Sequence, residues 1–476
     1  MNIRKNQAII LAIEAGVFLL SLLCLCVQKC SSFVGYSRVG VIVLLIDMLL
    51  FCKVQKKIIT VQTLFLGMFI LFQFGLPIIY AFSPKHYNFY LSIFDEKIIT
   101  TAVKYTVMAI QLYIIVATFV VASGRSSEKP GKQGKWARIM LTHTKDVENA
   151  GLLLFAVTAV VAVPVNLWAA AQALTAEGDI GNLYRGAMSA NGLTRFMQEF
   201  FFSSALLYLC FSRKKIGRKM VTILYFTVAF AMVIVADRTG GVTALVVYAL
   251  YWYYTSSKKR RKKHAVILIF AGVVLAMISS IVANVRSGAQ GEGKLLFAAL
   301  EEMGFNFTSL CFVMDYIPAR DEFRWGISYL IAIVLLIPKT LGLGAIYPQL
   351  QSYLGETWLW NANNLYGRNF LSFGVGFSMI AESYYNFSWA GILVMIPLAV
   401  IITHLLKEKK IENAWSLYIR LALMLSFFTV PRRQFQSVIK AIEYSVFFMA
   451  LYLLVYIGIK RKGKRDEAAN GINCRI

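Results

Sequence analysis

The chain has 476 residues, of which 58% are hydrophobic and only 15% charged, a balance too apolar for a water-soluble domain of ordinary make-up. Its formal net charge of +25 would suggest nucleic acid in a soluble protein, but in a membrane protein it first reports topology. These totals exclude most soluble enzymes and leave room for a dozen helices of about 20 apolar residues, the length that crosses a bilayer.

Apolar runs predict spans over 8–27, 34–52, 58–82, 100–123, 149–171, 196–211, 220–236, 239–255 and 265–284, and again over 389–406, 414–430 and 441–459. The first run follows Arg4 and Lys5 but carries Glu14 and lacks a small-residue cleavage site, so it is expected to be a retained helix and not a signal peptide. With the N-terminus in the cytoplasm, the breaks on that side hold 31 of the 49 Lys and Arg, and those on the opposite side hold 15. Both termini are therefore expected inside. The basic run 258–263 is expected to anchor topology against anionic lipid, not to bind nucleic acid.

About a hundred residues separate the ninth and tenth runs. Within them, 296–316 has helical periodicity with Glu301, Glu302 and Asp315 among apolar residues, whereas 329–338 is short for a crossing and ends at Pro338 and Lys339. Interfacial or re-entrant helices are expected there. The predicted fold is thus an all-α polytopic integral membrane protein with about 12 transmembrane helices. Residues 1–284 hold spans 1–9, 285–388 a large extracytoplasmic helical loop, 389–460 the last three spans, and 461–476 a basic cytoplasmic tail.

Neither a P-loop nor a dinucleotide glycine fingerprint nor an Asp-x-Asp motif is present, so nucleotide chemistry on the cytosolic face is not expected. The seven cysteines show no paired spacing, and the four histidines form no i,i+4 pair. No metal site, disulfide framework or cofactor is expected.

The outer breaks collect arginines that topology does not call for: Arg185, Arg238, Arg286, Arg320, Arg324, Arg368, Arg432 and Arg433. A guanidinium offers a planar fork of donors suited to phosphate and stays charged when partly buried. A converging set would hold a pyrophosphate without a metal. Taken singly, each is equally a solvated or headgroup-snorkelling side chain. Arg238 ranks first, in the two-glycine turn 237–241 between spans, and the pair Arg432 and Arg433 after Pro431 ranks second. Arg320 and Arg324 rank last, because Asp321 and Glu322 can neutralise them locally.

Further on, Asn363, Asn364 and Arg368 precede the glycines Gly374 and Gly376, and Glu382 and Asn386 fall one helical turn apart on one face. A carboxylate at the rim of a low-dielectric cavity is suited to removing a hydroxyl proton near neutral pH. The plain alternative is a first-turn Glu favoured by the helix dipole. Glu14, Asp47, Glu199 and Glu443 fall within or at the ends of spans and are also functional candidates.

The ordered set Glu302-x-Gly304, Pro318, Trp325-Gly326-Ile327-Ser328-Tyr329, Ile337-Pro338, Gly374-x-Gly376 and Ala381-Glu382-x-Tyr384-x-Asn386-Phe387 resembles the Wzy-type O-antigen and capsule repeat-unit polymerases. The resemblance covers the whole chain in topology and roughly 285–391 in motif. It departs at Ser388, where a glycine is usual. It implies a GT-C-like inner-membrane glycosyltransferase that joins undecaprenyl-pyrophosphate-linked repeat units on the outer face of the cytoplasmic membrane. Its partners would be lipid-linked donor and acceptor, membrane lipid and a chain-length regulator. On that reading Arg238, Arg286, Arg432 and Arg433 clamp the pyrophosphate and Glu382 is the base. Arg185, Asn363, Asn364, Arg368, Tyr384 and Asn386 bind sugar or phosphate, with Tyr366 and Trp389 suited to stacking. An O-antigen ligase would use the same donor chemistry, and a lipid-linked oligosaccharide flippase would also have twelve spans but internal repeats.

Overall fold

The computed structural model describes residues 5–27, 32–56, 60–86, 88, 91–124, 144–175, 192–235, 238–256, 295–335, 346–365, 376–407 and 413–473, and the regular elements among them are all helical. In chain order these are α1 (Lys5–Val27), α2 (Phe33–Gln55), α3 (Val61–Phe82), α4 (Glu96–Gly124), α5 (Thr144–Thr175), α6 (Gly192–Phe211), α7 (Lys215–Ile234) and α8 (Arg238–Thr255). The short helices α9 (Leu295–Gly304), α10 (Asn306–Tyr316), α11 (Ile327–Val334), α12 (Tyr347–Ser352) and α13 (Gly355–Leu365) follow. Then come α14 (Met379–Phe387), a 3-10 stretch (Ser388–Val394), α15 (Met395–Leu405), α16 (Ala414–Phe427), a 3-10 turn (Val430–Arg432) and α17 (Gln436–Asn473).

Among the described residues, 8 helical runs are long and apolar enough to cross a membrane: Lys5–Cys24, Val61–Phe82, Glu96–Ser123, Lys145–Ala173, Lys215–Ile234, Met379–Leu405, Ala414–Arg432 and Gln436–Arg461. The protein is an all-α, multi-pass membrane protein. The expected runs 34–52 and 239–255 are helical as α2 and α8. Within 196–211 there is a shorter apolar helix, Met197–Phe211, and 265–284 lies outside the described residues. The run expected to begin at Trp389 instead begins at Met379. There the Ser378 hydroxyl accepts the Ala381 N–H at 3.1 Å, an N-cap that starts the helix early. Ser388, at φ 54°, then breaks it into α14 and the 3-10 stretch.

Two compact units emerge. The first comprises Met1–Lys129, Ala276–Glu408 and Phe427–Ala441. Within it α4 packs against α1, α2, α3 and α15, around buried Phe51, Phe69, Phe74 and Tyr105. Two of the expected intramembrane carboxylates lie here, fully buried: Glu14 accepts from Thr118 at 2.9 Å and Asp47 from the Gln111 amide at 3.0 Å. Both donors stand on α4, so α1 and α2 are tied to it by polar contacts that apolar surroundings strengthen. Helix α9 meets α3 through two glycines, since a Cβ on Gly75 would lie 2.8 Å from the Gly304 Cα. That approach brings Glu301 against His86 at 3.3 Å and under the Asn88 amide.

The second unit comprises Pro130–Leu275, Lys409–Ser426 and Ile442–Ile476. Here α5 packs on α6 and α7 on α8. Thr158 and Ser204 share a hydrogen bond of 2.9 Å, and the Tyr225 hydroxyl donates to the Ala244 carbonyl at 2.7 Å. Trp415 of α16 sits between Phe211 and Tyr452.

Because backbone opposes backbone at the Gly75 and Gly304 contact, neither helix can yield by moving a side chain. Gly304→Ala is expected to cost about 1–3 kcal/mol and to lower the melting midpoint of the detergent-solubilised protein. An unchanged midpoint would show that the two helices part freely.

Candidate functional site: a pinned diarginine turn

In the first unit, the sequence Val430-Pro431-Arg432-Arg433-Gln434-Phe435 makes a tight turn ahead of α17. Proline presets the backbone angle of its first residue, and the Arg432 and Arg433 amides donate back to Thr429 and Val430 at 3.1 and 3.0 Å. Side chains from three elements then take up the backbone of this turn. The Gln73 amide of α3 donates to the Pro431 carbonyl, and the Asn306 amide of α10 donates to the Arg432 carbonyl at 2.7 Å. The Phe435 N–H donates to the Glu382 carboxylate of α14 at 2.5 Å. In return the Gln434 side chain accepts the Glu356 N–H, which opens α13, at 3.1 Å. Gly376, at φ +71°, passes close beside, and a Cβ there would stand 3.6 Å from the Arg432 carbonyl. The backbone of the turn is thus held from behind while Arg433 is exposed and Arg432 half-buried.

Glu382 and Asn386 are each 0% exposed. One Glu382 oxygen accepts the Ser328 hydroxyl at 2.8 Å and the other takes Phe435 N–H. Asn386 donates to Ser328 Oγ at 2.7 Å and to the Glu382 carbonyl at 2.8 Å, and accepts the Gly326 N–H at 3.0 Å. The amides of Arg324 and Trp325 donate to the carbonyls of Tyr385 and Asn386 at 3.1 and 3.0 Å. The segment Trp325 to Ser328 is therefore clamped along α14. It runs through Trp325 at φ 49° and Gly326 at φ 87°, a reversal that favours glycine. Tyr329 stacks on Phe387 and meets Phe435 edge-on, and burial together with the charge of Glu382 raises the proton affinity of its phenol well above the usual range.

The sequence-expected residues divide accordingly. Glu382, Asn386, Tyr384, Arg432 and Arg433 lie in this one unit, with Tyr384 buried against Tyr105 and Phe323. Arg324 is tied to Asp321 at 2.6 Å and to the Tyr385 hydroxyl at 3.0 Å, the local neutralisation expected for it. Arg238 opens α8, while Asn363 and Asn364 fall in α13; their side chains lie outside the description, as do Arg185, Arg286, Tyr366 and Arg368. Among the described residues no three His, Cys, Asp or Glu side chains group so as to hold a metal ion.

Gln73, Asn306 and Gln434 went unnoticed in the sequence. Gln73 alone left a signal there, an amide inside a strongly apolar run, where an unpaired polar group is costly and must find a partner.

The chain is thus a multi-pass helical membrane protein that sets adjacent arginines on a turn whose backbone is engaged by buried polar side chains. The family model described as O-antigen polysaccharide polymerase Wzy matches residues 9–465, and the chain belongs to that family. It is a repeat-unit polymerase, a membrane glycosyltransferase of O-antigen or capsular polysaccharide synthesis. No curated protein and no solved structure matches the chain.

Replacing Asn386 with leucine strands the Gly326 N–H and removes the donor to Ser328. Asn386→Leu should therefore destabilise the protein by about 1–3 kcal/mol. Thermal melting in detergent checks this, and an unshifted transition would mean that the clamp carries no stability.

Proposed function

We propose that the diarginine turn binds the pyrophosphate of an undecaprenyl-linked donor on the outer face of the cytoplasmic membrane. The arrangement that places it there is twelve spans, cytoplasmic termini and the large loop between spans nine and ten. Supporting this is the backbone of 431–435, which buried side chains hold while two guanidiniums leave it. Donors fixed in advance stabilise a developing charge without reorganising. In the reaction the bond between the anomeric carbon of the donor glycan and the pyrophosphate oxygen breaks. The acceptor sugar's hydroxyl oxygen bonds to that carbon, the electron pair of the broken bond departs with the pyrophosphate oxygen, and the hydroxyl proton passes to that leaving group. Arg432 and Arg433, with Arg286, neutralise that leaving group. Arg368, Asn363, Asn364 and Tyr384 hold sugar or phosphate, and a chain-length regulator is a proposed partner.

Glu382, the base expected from the sequence, is better suited to holding the turn. Both its oxygens accept hydrogen bonds and it has no exposed surface, so an acceptor hydroxyl reaches it only by displacing Ser328 or Phe435. Glutamine at this position can still accept the Phe435 N–H through its oxygen and donate to Ser328 through its nitrogen. Asn386 acts through the same floor, by positioning Ser328.

Reconstitution with synthetic lipid-pyrophosphate repeat units, chelator and no nucleotide tests the reading. Wild-type chains should lengthen. Arg432→Gln and Arg433→Gln should each lower turnover by about 10²–10³-fold, and Arg433→Gln should leave the melting midpoint unchanged. Full activity in both variants, or a requirement for nucleotide sugar, would overturn the clamp.

The role of Glu382 is separated by two substitutions. Glu382→Gln should keep turnover within about tenfold of wild type, whereas Glu382→Ala, which frees the turn, should lose about 10²-fold, the scale on which a displaced catalytic group fails. Equal and severe losses in both, with unaltered melting of the Gln variant, would instead make the carboxylate a base.

A further inference from the structure

The second unit contains a basic cavity whose lining includes none of the residues assigned above to the pyrophosphate clamp. Where α6 turns into α7, a cavity of about 460 Å³ opens, and Arg213, Lys215, Arg218 and Lys219 line it together with Tyr248 and Tyr251. No Asp or Glu is among the described residues of its wall. Glu148, nearby in the fold, accepts the Ser212 hydroxyl at 2.8 Å and is not part of the lining. Four cations around one small cavity repel one another, and the repulsion is relieved by an anion held among them.

One cation is fixed in advance. The Arg218 guanidinium donates to the Tyr251 hydroxyl at 2.7 Å, and that hydroxyl, on a side chain only 4% exposed, donates to the Leu209 carbonyl at 3.0 Å. Thr222 and Tyr248 share a hydrogen bond of 3.1 Å between α7 and α8 across the same wall. The tyrosines thereby orient the guanidinium and supply a rigid, partly apolar floor.

What lies outside the cavity indicates what the anion is attached to. Ile216, Met220, Ile223 and Phe230 are 79%, 60%, 54% and 49% exposed. Their spacing of four, three and seven residues places them on one face of α7, a helix apolar enough to cross a membrane. The basic cavity thus sits at the end of an apolar stripe, with cations and apolar residues interspersed through Lys215-Ile216-Gly217-Arg218-Lys219-Met220. Such a stripe suits acyl chains, and the cations above it suit a phosphate at the level of the head groups.

We propose that this cavity is a binding site for the phosphate head group of an anionic membrane phospholipid, whose chains lie along the exposed face of α7. The test is native mass spectrometry of the full chain in neutral detergent, titrated with phosphatidylglycerol, phosphatidylcholine or inorganic phosphate. Phosphatidylglycerol should form a discrete adduct about tenfold tighter than phosphatidylcholine. In Arg213→Gln/Lys219→Gln that preference should fall about tenfold, while circular dichroism and chain extension stay unchanged. Tyr251→Phe, which keeps all four charges but removes the acceptor for Arg218, should weaken the adduct by a smaller factor. Equal binding of the two lipids, or a preference that survives Arg213→Gln/Lys219→Gln, would overturn the proposal. Inorganic phosphate that binds as tightly as the lipid and is lost in the same variant would overturn the lipid as ligand and leave a free-anion site.

Discussion

A carboxylate without exposed surface needs hydrogen-bond donors close by, because burial without them is among the more costly events in folding. Glu382 finds two: the Ser328 hydroxyl and the backbone N–H of Phe435. The first ties α14 to the start of α11, and the second ties it to the residue that follows the arginine turn. Asn386, one turn on, donates to the same Ser328 oxygen and receives Gly326. Two side chains on one helical face therefore hold both the Trp325 to Ser328 reversal and the end of the arginine turn.

The same principle recurs in the first unit. Gln73 and Asn306 are amides in apolar surroundings, and each spends a donor on a carbonyl of the turn. These carbonyls belong to no helix ladder, so unpaired they would be stranded polar groups. Buried donors and irregular backbone thus satisfy one another, and the turn is rigid as a result. Glu14 and Asp47 bind α4 in a comparable way, but between regular helices, where the outcome is helix register and not the shaping of a loop.

For a polymerase of this family the consequence concerns electrostatics. A guanidinium on a mobile loop must be ordered when the phosphate arrives, and that loss of freedom offsets part of the attraction. For the proposed clamp, a turn whose carbonyls and amide are already engaged has its backbone ordered beforehand, so that only the side chains remain to be ordered. The motifs Trp325-Gly326-Ile327-Ser328 and Glu382-x-Tyr384-x-Asn386, apart in the chain, form one piece of scaffold. Arg324 and Asp321, beside the first, are bound to each other and to Tyr385 and Trp358, so they are part of that scaffold.

Much of this protein was legible in its amino acids, because the properties concerned are local. Hydropathy and run length mark a helical membrane protein, since an apolar segment of sufficient length carries that information without reference to its neighbours. Helix around 296–316 followed from periodicity, a short helix within 329–338 from an apolar run too brief to cross, and the i,i+4 relation of Glu382 and Asn386 from helix geometry. The adjacent arginines stood out by position, and the order of short motifs pointed to the family. Other features depended on contacts between distant parts of the chain. The duties of Gln73, Asn306 and Gln434 required their partners. The engagement of Glu382 could not be read from its own segment; its partner Phe435 is 53 residues away in sequence, and only folding brings that N–H to the carboxylate. Composition and spacing determine which groups a segment can offer, whereas tertiary structure decides which of them are already engaged with one another.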